Sequence, residues 1–579
     1  MIINALNLAA VSMQAQQKAM DVVANNMSNV NTPGYSRQTS QMTALSTDQQ
    51  GGLNFGRGVQ LSSISRTVDP IINQAMLKNG GQQGYWQNLE TGLTGVESLF
   101  GSLQNTGLSA AIDDFFSAMQ QMANAPGDSA QKINVRSKSE ALALRLSDMH
   151  QQITTAQTQA DTKIDQDITS ANTLLDTIGA LNTQISKVES GSQGVIGAAN
   201  DLRDQRDQAI RDVSRLIPVQ QVQVNHGGVL LQSMGGDLLV QGQTVNHLGR
   251  STTLATSGFS DVVISGTQQV VSGLSQSGTI GGSIALRDNR LGGYLTSLDS
   301  IAVNLAFGIN QANASGVGSV QASQVTSGLG VVNQALPVTD VAQNNPFAAQ
   351  MAVPGSFTMH VYDASGAPLL PTSQATIAVT ATSTMATIAA DISATVPGVT
   401  ASVDTAGRLV MNAGTNKMGF ANDTSNFLAA YQVNHLFQGT GAANLQVSGA
   451  VTADAGLIST GQIDPTTSLI QTGDNQAALS MLNLQNSAVS FDGTNAASLS
   501  ERTSTLSATY GNDVALAKQQ NSFYTAEGSS LAQQRQALSG VNVDEELVSM
   551  IKYQRAYEAS AKVIQTSNQM LTTLMGLIR

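Results

Sequence analysis

The sequence predicts a multidomain, mainly α protein, with long helical coiled-coil termini and a helical body that carries inserted β-rich domains. Three observations predict it. Both ends of the chain carry apolar residues at seven-residue spacing, much of the chain between them keeps a helical period, and two internal stretches switch to a period of two. At 579 residues the chain is too long for one core, and length alone suggests about four domains. Helical ends enclose a helical body, which encloses β inserts, so the chain goes out and returns. That nesting predicts a terminal coiled-coil domain from residues 1–40 with 539–579. It predicts a helical body from 41–335 with 455–538, carrying a small β element at about 217–280, and a β-rich outer insert at 336–454.

The first element rests on Leu6, Met13, Met20 and Met27, each seven residues after the last, with Ile2, Ala9, Val23 and Val30 at intervening positions. From Met1 to Arg37 the only charges are Lys18, Asp21 and Arg37. Such a surface is buried with little charge to desolvate, which suits packing among many copies. A methionine stripe also suits a promiscuous groove; we read it as a packing seam. Asn31-Thr32-Pro33-Gly34-Tyr35 then breaks the helix, because proline pre-sets a turn and glycine supplies positive φ. Ser36 to Ser65 alternates loosely and reads as extended. Helical spacing resumes over Val68–Lys78 and again over Tyr85–Ala123, its first part weakened by Gly92, Gly95 and Gly101.

Pro126-Gly127 stops that run, and a long helix is predicted from Ser129 to Glu189. Its stripe runs Leu142, Leu146, Met149, Ile153, then Ile164, Ile168, Ala171, Leu175, Ile178, Ile185, with a slip of phase between Ala160 and Ile164. Asn200–Leu216 is a helix with a charged face. From Pro218 short apolar runs alternate with glycines and predict a small antiparallel element. Gly281–Asn313 returns to helical spacing. Residues 336 to 452 hold six of the eleven prolines; there Phe357–Tyr362 and Ala375–Thr380 alternate, Thr384–Thr395 reads as a short helix, and Thr400–Val403 with Arg408–Asn412 as a hairpin. Gln476–Leu482 and Ala496–Leu538 are helical, and Gly540 ends the run.

The last element mirrors the first. Val543, Met550, Tyr557, Ile564, Leu571 and Ile578 recur every seventh residue, and Leu547, Ala561 and Met575 lie four further on, interspersed with Gln554 and Asn568. Asn542 with Glu545 reads as a loose capping box, and Asp544, Glu545 and Glu546 favour the positive end of the helix dipole. Neither end has a local partner for its stripe. Packing of the two ends together and against other copies resolves that, as would burial of two amphipathic helices in one ordinary core.

Composition limits the function. The formal charge of −12 and pI near 4.8 argue against nucleic acid and anionic membrane as partners. There is no run of eighteen apolar residues. A basic region ahead of the first apolar residues is missing, so no cleaved secretory signal is expected. Cysteine is absent, and with it disulfides and thiolate chemistry. His150, His226, His247, His360 and His435 are scattered, with no metal-ligand spacing. Asp113-Asp114 and Glu545-Glu546 read as helix-start or solvated charges, and Trp86 as a buried anchor. No catalytic, cofactor or metal site is expected, and the chain is not read as an enzyme.

Residues 24–38, which end Asn31-Thr32-Pro33-Gly34-Tyr35-Ser36-Arg37-Gln38, resemble the N-terminal signature of the bacterial flagellar rod, hook and hook-associated family. Residues 539–547, Tyr553-Gln554-Arg555-Ala556-Tyr557 and residues 559–564 resemble its C-terminal counterpart. Length, the Gly34-to-Gln38 form, and Gly56-Arg57-Gly58-Val59 running on to Arg66-Thr67-Val68-Asp69 liken it most to the hook-associated members. The resemblance implies a non-enzymatic structural protein, exported uncleaved through the flagellar type III channel and assembled outside the cell at the hook–filament junction. It implies hook protein, a second junction protein and copies of itself as partners, and a cytoplasmic export chaperone, which we place on the Val543–Ile578 seam. A hook or distal-rod protein shares the terminal signatures; the long central helix argues against a hook protein. A secreted adhesin using the same export route, with the outer insert as its binding domain, is a reading from another class. Both ends are expected to be unordered in the free monomer, since a solitary seam buries too little.

Overall fold

The computed structural model describes all residues except 1, 47, 51–52, 101–106, 192–196, 224–227, 257, 370–372, 465–466, 472 and 577–579. Ile578 and His226 therefore lie outside the described residues, as does the side chain of Ile2. The fold is mainly α and multidomain, with several small sheets. Two compact units share the chain: 1–92, 159–287 and 515–579 form the first, 93–158 and 288–514 the second. The segment read as one helical body is distributed over both.

In the first unit the N-terminal helix spans Ile2–Ser28 and the C-terminal helix Val543–Gly576. The alternating stretch after the signature turn is a hairpin. Gln38–Ala44 pairs antiparallel with Val59–Arg66, with an irregularity at Gln41/Met42. Asp69 caps the next helix, accepting from the Ile71 N–H at 2.7 Å, and Pro70 occupies its first position. That helix continues through Gly84 and Gly92 and ends at Gly95, while Gly101 lies outside the described residues. A Cβ on Gly84 would fall 2.3 Å from the Arg215 carbonyl, and one on Gly92 2.1 Å from Leu286 Cδ2. The glycines are what allows so close an approach.

The core of this unit is the second half of the long helix, Ser129–Gly191, which runs unbroken through the change of phase at Ala160–Ile164. Ile164, Ile168, Ala171, Leu175 and Ile178 pack with Ala209, Ile210 and Val213 and with the strand residues Val229, Leu231, Leu239 and Val240. The predicted β element is two sheets. One is a four-stranded meander, Val219–Gln223, Val229–Ser233, Leu238–Gln241 and Thr244–Val245, in sequential order; the other has three strands between Leu248 and Val270. The charged face of Asn200–Leu216 is partly turned inward. Arg206 is buried and donates to Asn182 Oδ1 at 2.9 Å, while Asp204 and Asp207 take Arg66 from the hairpin at 2.7 and 2.9 Å.

In the second unit, Gly292–Ala314 is a helix in which every residue from Ile301 to Asn310 is buried, the mark of a helix enclosed on all sides. Its buried asparagines are satisfied by loops that wrap it. Asn310 Oδ1 accepts from the Leu436 and Phe437 N–H groups, Asn313 Oδ1 from Ser459 N–H, and Asn304 Oδ1 from Phe491 N–H. The outer insert has two three-stranded sheets, one of them centred on Gly355–Tyr362 and the other on Arg408–Asn412. The predicted hairpin Thr400–Val403/Arg408–Asn412 and helix Met385–Thr395 are both present, the latter capped by Thr384 Oγ1 on Thr387 N–H. Gln324–Gly330, upstream of residue 336, pairs with Arg408–Asn412 and belongs to that sheet. No described helix is long and apolar enough to cross a membrane.

Candidate functional site

The residues that carry chemistry converge where the two ends of the chain meet, within the first unit. Asn26, in the last turns of the N-terminal helix, is 1% exposed and holds the signature turn back against its own helix. Its Nδ2 donates to Gln38 O at 2.8 Å, and its Oδ1 accepts from Gln38 N–H at 3.0 Å and from the Tyr35 hydroxyl at 2.9 Å. Gly34, at φ +87°, takes the left-handed conformation the turn requires. Burial first, then the charges of Asp201, Asp204 and Glu546, push the Tyr35 hydroxyl well above the usual phenol range, so it stays a donor.

The C-terminal end closes on this turn. Glu546, 2% exposed, accepts from Arg37 Nε at 2.7 Å and from Asn26 Nδ2 at 3.0 Å. Arg37 Nη1 pairs with the exposed Glu545 at 2.7 Å, and Arg37 N–H donates to Ser539 O at 2.8 Å. Arg535 Nη2 donates to Gly34 O at 2.6 Å. Glu545 is therefore not a capping-box partner of Asn542, whose Oδ1 takes the Asp544 N–H instead. The far side of the turn is tied to Asn200–Leu216: Ser36 N–H donates to Asp204 and Gln38 Nε2 to Asp201. A buried carboxylate with an arginine and an amide on it is a geometric lock, since loss of the arginine leaves its charge uncompensated and loss of the amide leaves an acceptor unmet.

Beyond this clasp the two terminal helices run antiparallel, so the ends expected to be unordered in the free monomer are helical and paired with each other within the single chain. Asn26 meets Glu546, and fourteen residues back on one helix and forward on the other Ser12 meets Ser560 at 3.3 Å. Carried on, that register sets Ala19 opposite Tyr553 and Ala5 opposite Ser567, a line of mostly small residues that lets the backbones approach. Leu6, Met13, Met20 and Met27 lie one position off that line and are half-buried. On the C-terminal helix Met550, Tyr557, Ala561, Ile564 and Leu571 are half-buried, while Val543, Leu547 and Met575 are exposed. In the signature turn Asn31 is exposed, Gly34, Tyr35 and Arg37 are half-buried, and Gln38 is buried. In 34 residues the C-terminal helix fully buries only Glu546 and Ser567, both polar. Val548, Ile551, Val563, Met570 and Leu574 are at least 45% exposed.

Asn26, Arg535, Ser12 and Ser560 were not singled out from the sequence. For Ser12 and Asn26 the signal is the seven-residue recurrence of small and amide side chains at Ala5, Ser12, Ala19 and Asn26, which a search for bulky residues passes over. Among the described residues no group of three or more His, Asp or Glu is placed to hold a metal. His360 and His435 are buried singly, His360 Nδ1 lying 2.9 Å from Ser468 Oγ.

The helical domain of flagellar hook-associated protein FlgK matches residues 93–324, and the flagellin hook IN motif matches 356–415. The flagella basal body rod protein family matches 6–35, and the C-terminal family of the basal body rod FlgEFG proteins matches 532–577, so the two helices of the clasp fall to rod-type families. Flagellar hook-associated protein 1 of Salmonella typhimurium is 26% identical over 584 residues, covering 99% of both chains. That of Escherichia coli is 25% identical over 580 residues, again covering 99% of both. The solved flagellar hook junction protein FlgK from Burkholderia pseudomallei aligns with TM-score 0.48 at 17% identity, over 81% of this chain and 100% of that one. With matching segments from the first helix to the last and full-length relatives of one description, the chain is similar over its whole length to the flagellar hook-associated proteins of the bacterial rod, hook and hook-associated family.

Proposed function

We propose that this chain is a structural subunit of the junction between flagellar hook and filament, that it acts without catalysis, and that it assembles through its joined terminal helices. The observation that carries this is the half-built C-terminal helix. A helix of 34 residues that buries only two of them draws little stability from its own chain. Five large apolar side chains on it that stay 45–68% exposed each gain about 1 kcal/mol when a neighbour covers them. Copies of the same chain, hook protein on one side and a second junction protein on the other are the partners that fit. In this reading the joined ends (1–40 with 539–579) form the inner tube, the helical body the next shell, and the β-rich insert at 336–454 the outside.

Before assembly the same exposed face needs cover. We place the cytoplasmic export chaperone there, along Val543 to the end of the chain, and expect export without cleavage to the outside of the cell. A pull-down in which deletion of this helix leaves chaperone capture intact would exclude that placement. For the junction role the test is deletion of the gene and complementation. Loss should leave hooks without filaments and filament subunits shed into the medium, restored by the full chain and not by one lacking residues 543–579. Intact motility on deletion would instead fit an adhesin and overturn the proposal.

A further inference from the structure

The first unit contains a groove of about 930 Å³ between the helix Pro70–Gly95 and the strand Val219–Gln223. Every residue from Pro218 to Gln223 lines it. A sheet face presents alternate side chains only, so an unbroken run means that the edge of the strand opens into the groove. This strand is the outer one of its four-stranded sheet. Its pairing shows which backbone groups are free. Met234 N–H donates to Pro218 O, and the register pairs Gln220 with Gln232 and Val222 with Leu230. Antiparallel pairs alternate between bonded and unbonded, so Gln220 and Val222 bond inward while Val219, Gln221 and Gln223 turn N–H and C=O toward the groove. Among the described residues no backbone group meets them there.

The walls suit a peptide. Ile71, Met234, Val222 and Val68 are 78, 54, 45 and 36% exposed and all line this groove. Lys78 and Arg211 line it too, and among the described residues neither has a carboxylate at ion-pair distance; Arg211 Nε and Nη2 both rest on Gln208 Oε1. Arg66, by contrast, is held by Asp204 and Asp207. An open edge of this kind invites strand pairing, and no proline or charged residue stands within Val219–Gln223 to blunt it. We infer that the edge Val219–Gln223 is an interaction surface that takes an extended acidic protein segment as a fifth strand. The segment's apolar side chains meet Ile71 and Met234 and its carboxylates meet Lys78 and Arg211. Five residues of edge offer roughly 17 Å of pairing. Among the charged residues that line the groove, Arg66, Lys78 and Arg211 outnumber Asp207, and this excess of positive charge selects an acidic occupant. The inference stands apart from the junction role.

The test uses the full chain and a fluorescein-labelled nonapeptide of alternating valine and glutamate, with a valine–lysine twin. Gln221→Pro removes one outward N–H and no bond to the neighbouring strand, and proline is tolerated at sheet edges. Lys78→Glu reverses one exposed charge. Fluorescence anisotropy should show saturable binding of the glutamate peptide, weakened about tenfold or more by either substitution or by the lysine twin. Amide exchange on the unsubstituted chain should slow at Gln221 and Gln223 when peptide is added, while Gln220 and Val222 are slow throughout. No saturable binding, undiminished binding by Gln221→Pro with an unchanged circular dichroism spectrum, or outward amides already protected without peptide would overturn it.

Discussion

Arg37→Met tests the clasp most severely. The guanidinium Nε lies 2.7 Å from Glu546 Oε1, and the Glu546 side chain is 2% exposed. Without Arg37, that carboxylate keeps only the Asn26 amide. Breaking a buried pair from one side costs about 3–5 kcal/mol. The second contact, to Glu545 at 58% exposure, adds about 0–1 kcal/mol. The variant should therefore lose about 4 kcal/mol where the two ends join, a factor of about a thousand in the local opening equilibrium. Native-state amide exchange over Val543–Gly576, and of the Arg37 N–H that bonds Ser539 O, reads this directly. Adding Glu546→Leu should recover much of the loss, because an apolar pair of similar volume replaces a buried ion pair at little cost. Exchange accelerated less than tenfold by Arg37→Met would refute the reasoning, as would a double variant worse than the single one.

Two other predictions concern buried titratable groups in the second unit, and a third a glycine of the first. Lys132 is 1% exposed, its ammonium donates to Ile458 O at 3.3 Å, and burial pulls its pKa down to about 8, partly offset by Asp454. The unfolded chain binds this proton up to about 10.4, so stability should rise as pH climbs from about 8 toward 10, by up to about 3 kcal/mol. Lys132→Met should remove that rise in pH-dependent urea melts and be more stable at pH 7. Burial of His435 lowers its pKa to about 4. The folded form resists a proton that the unfolded chain accepts, so stability should fall as pH drops from about 6.5 to 4, and His435→Gln should flatten that loss. Gly84→Ala should destabilise by about 1–3 kcal/mol in thermal melts, because its methyl would collide with the Arg215 carbonyl.

Much of the architecture was legible because it depends on periodicity. The stripe Leu142 to Ile185 marks the long helix, and the Asp404–Gly407 turn marks its hairpin, since both are set by local rules. The helix through Gly84 and Gly92 was legible only in pieces, because its glycines serve contacts with Arg215 and Leu286 that sequence spacing does not reveal. The π-helical turn Ala285–Leu291 inside the predicted Gly281–Asn313 run was invisible for the same reason. At the clasp, Arg37 and Gln38 were visible through the signature. Their partners Glu546 and Asn26 lie 520 residues apart, and only the closed fold brings them together. Glu546 reads locally as a helix-start charge. Its burial against Arg37 is a tertiary fact.

The central claim is that the outward face of the C-terminal helix is covered only by neighbouring subunits. The chain has no cysteine, so single thiols report it cleanly. Ile551 is 57% exposed and Ser567 6%. In chains carrying Ile551→Cys or Ser567→Cys, a maleimide should modify position 551 quickly and position 567 slowly in the free monomer. In assembled hook–filament junctions, position 551 should become as slow as 567. Equal modification of position 551 before and after assembly would contradict the account.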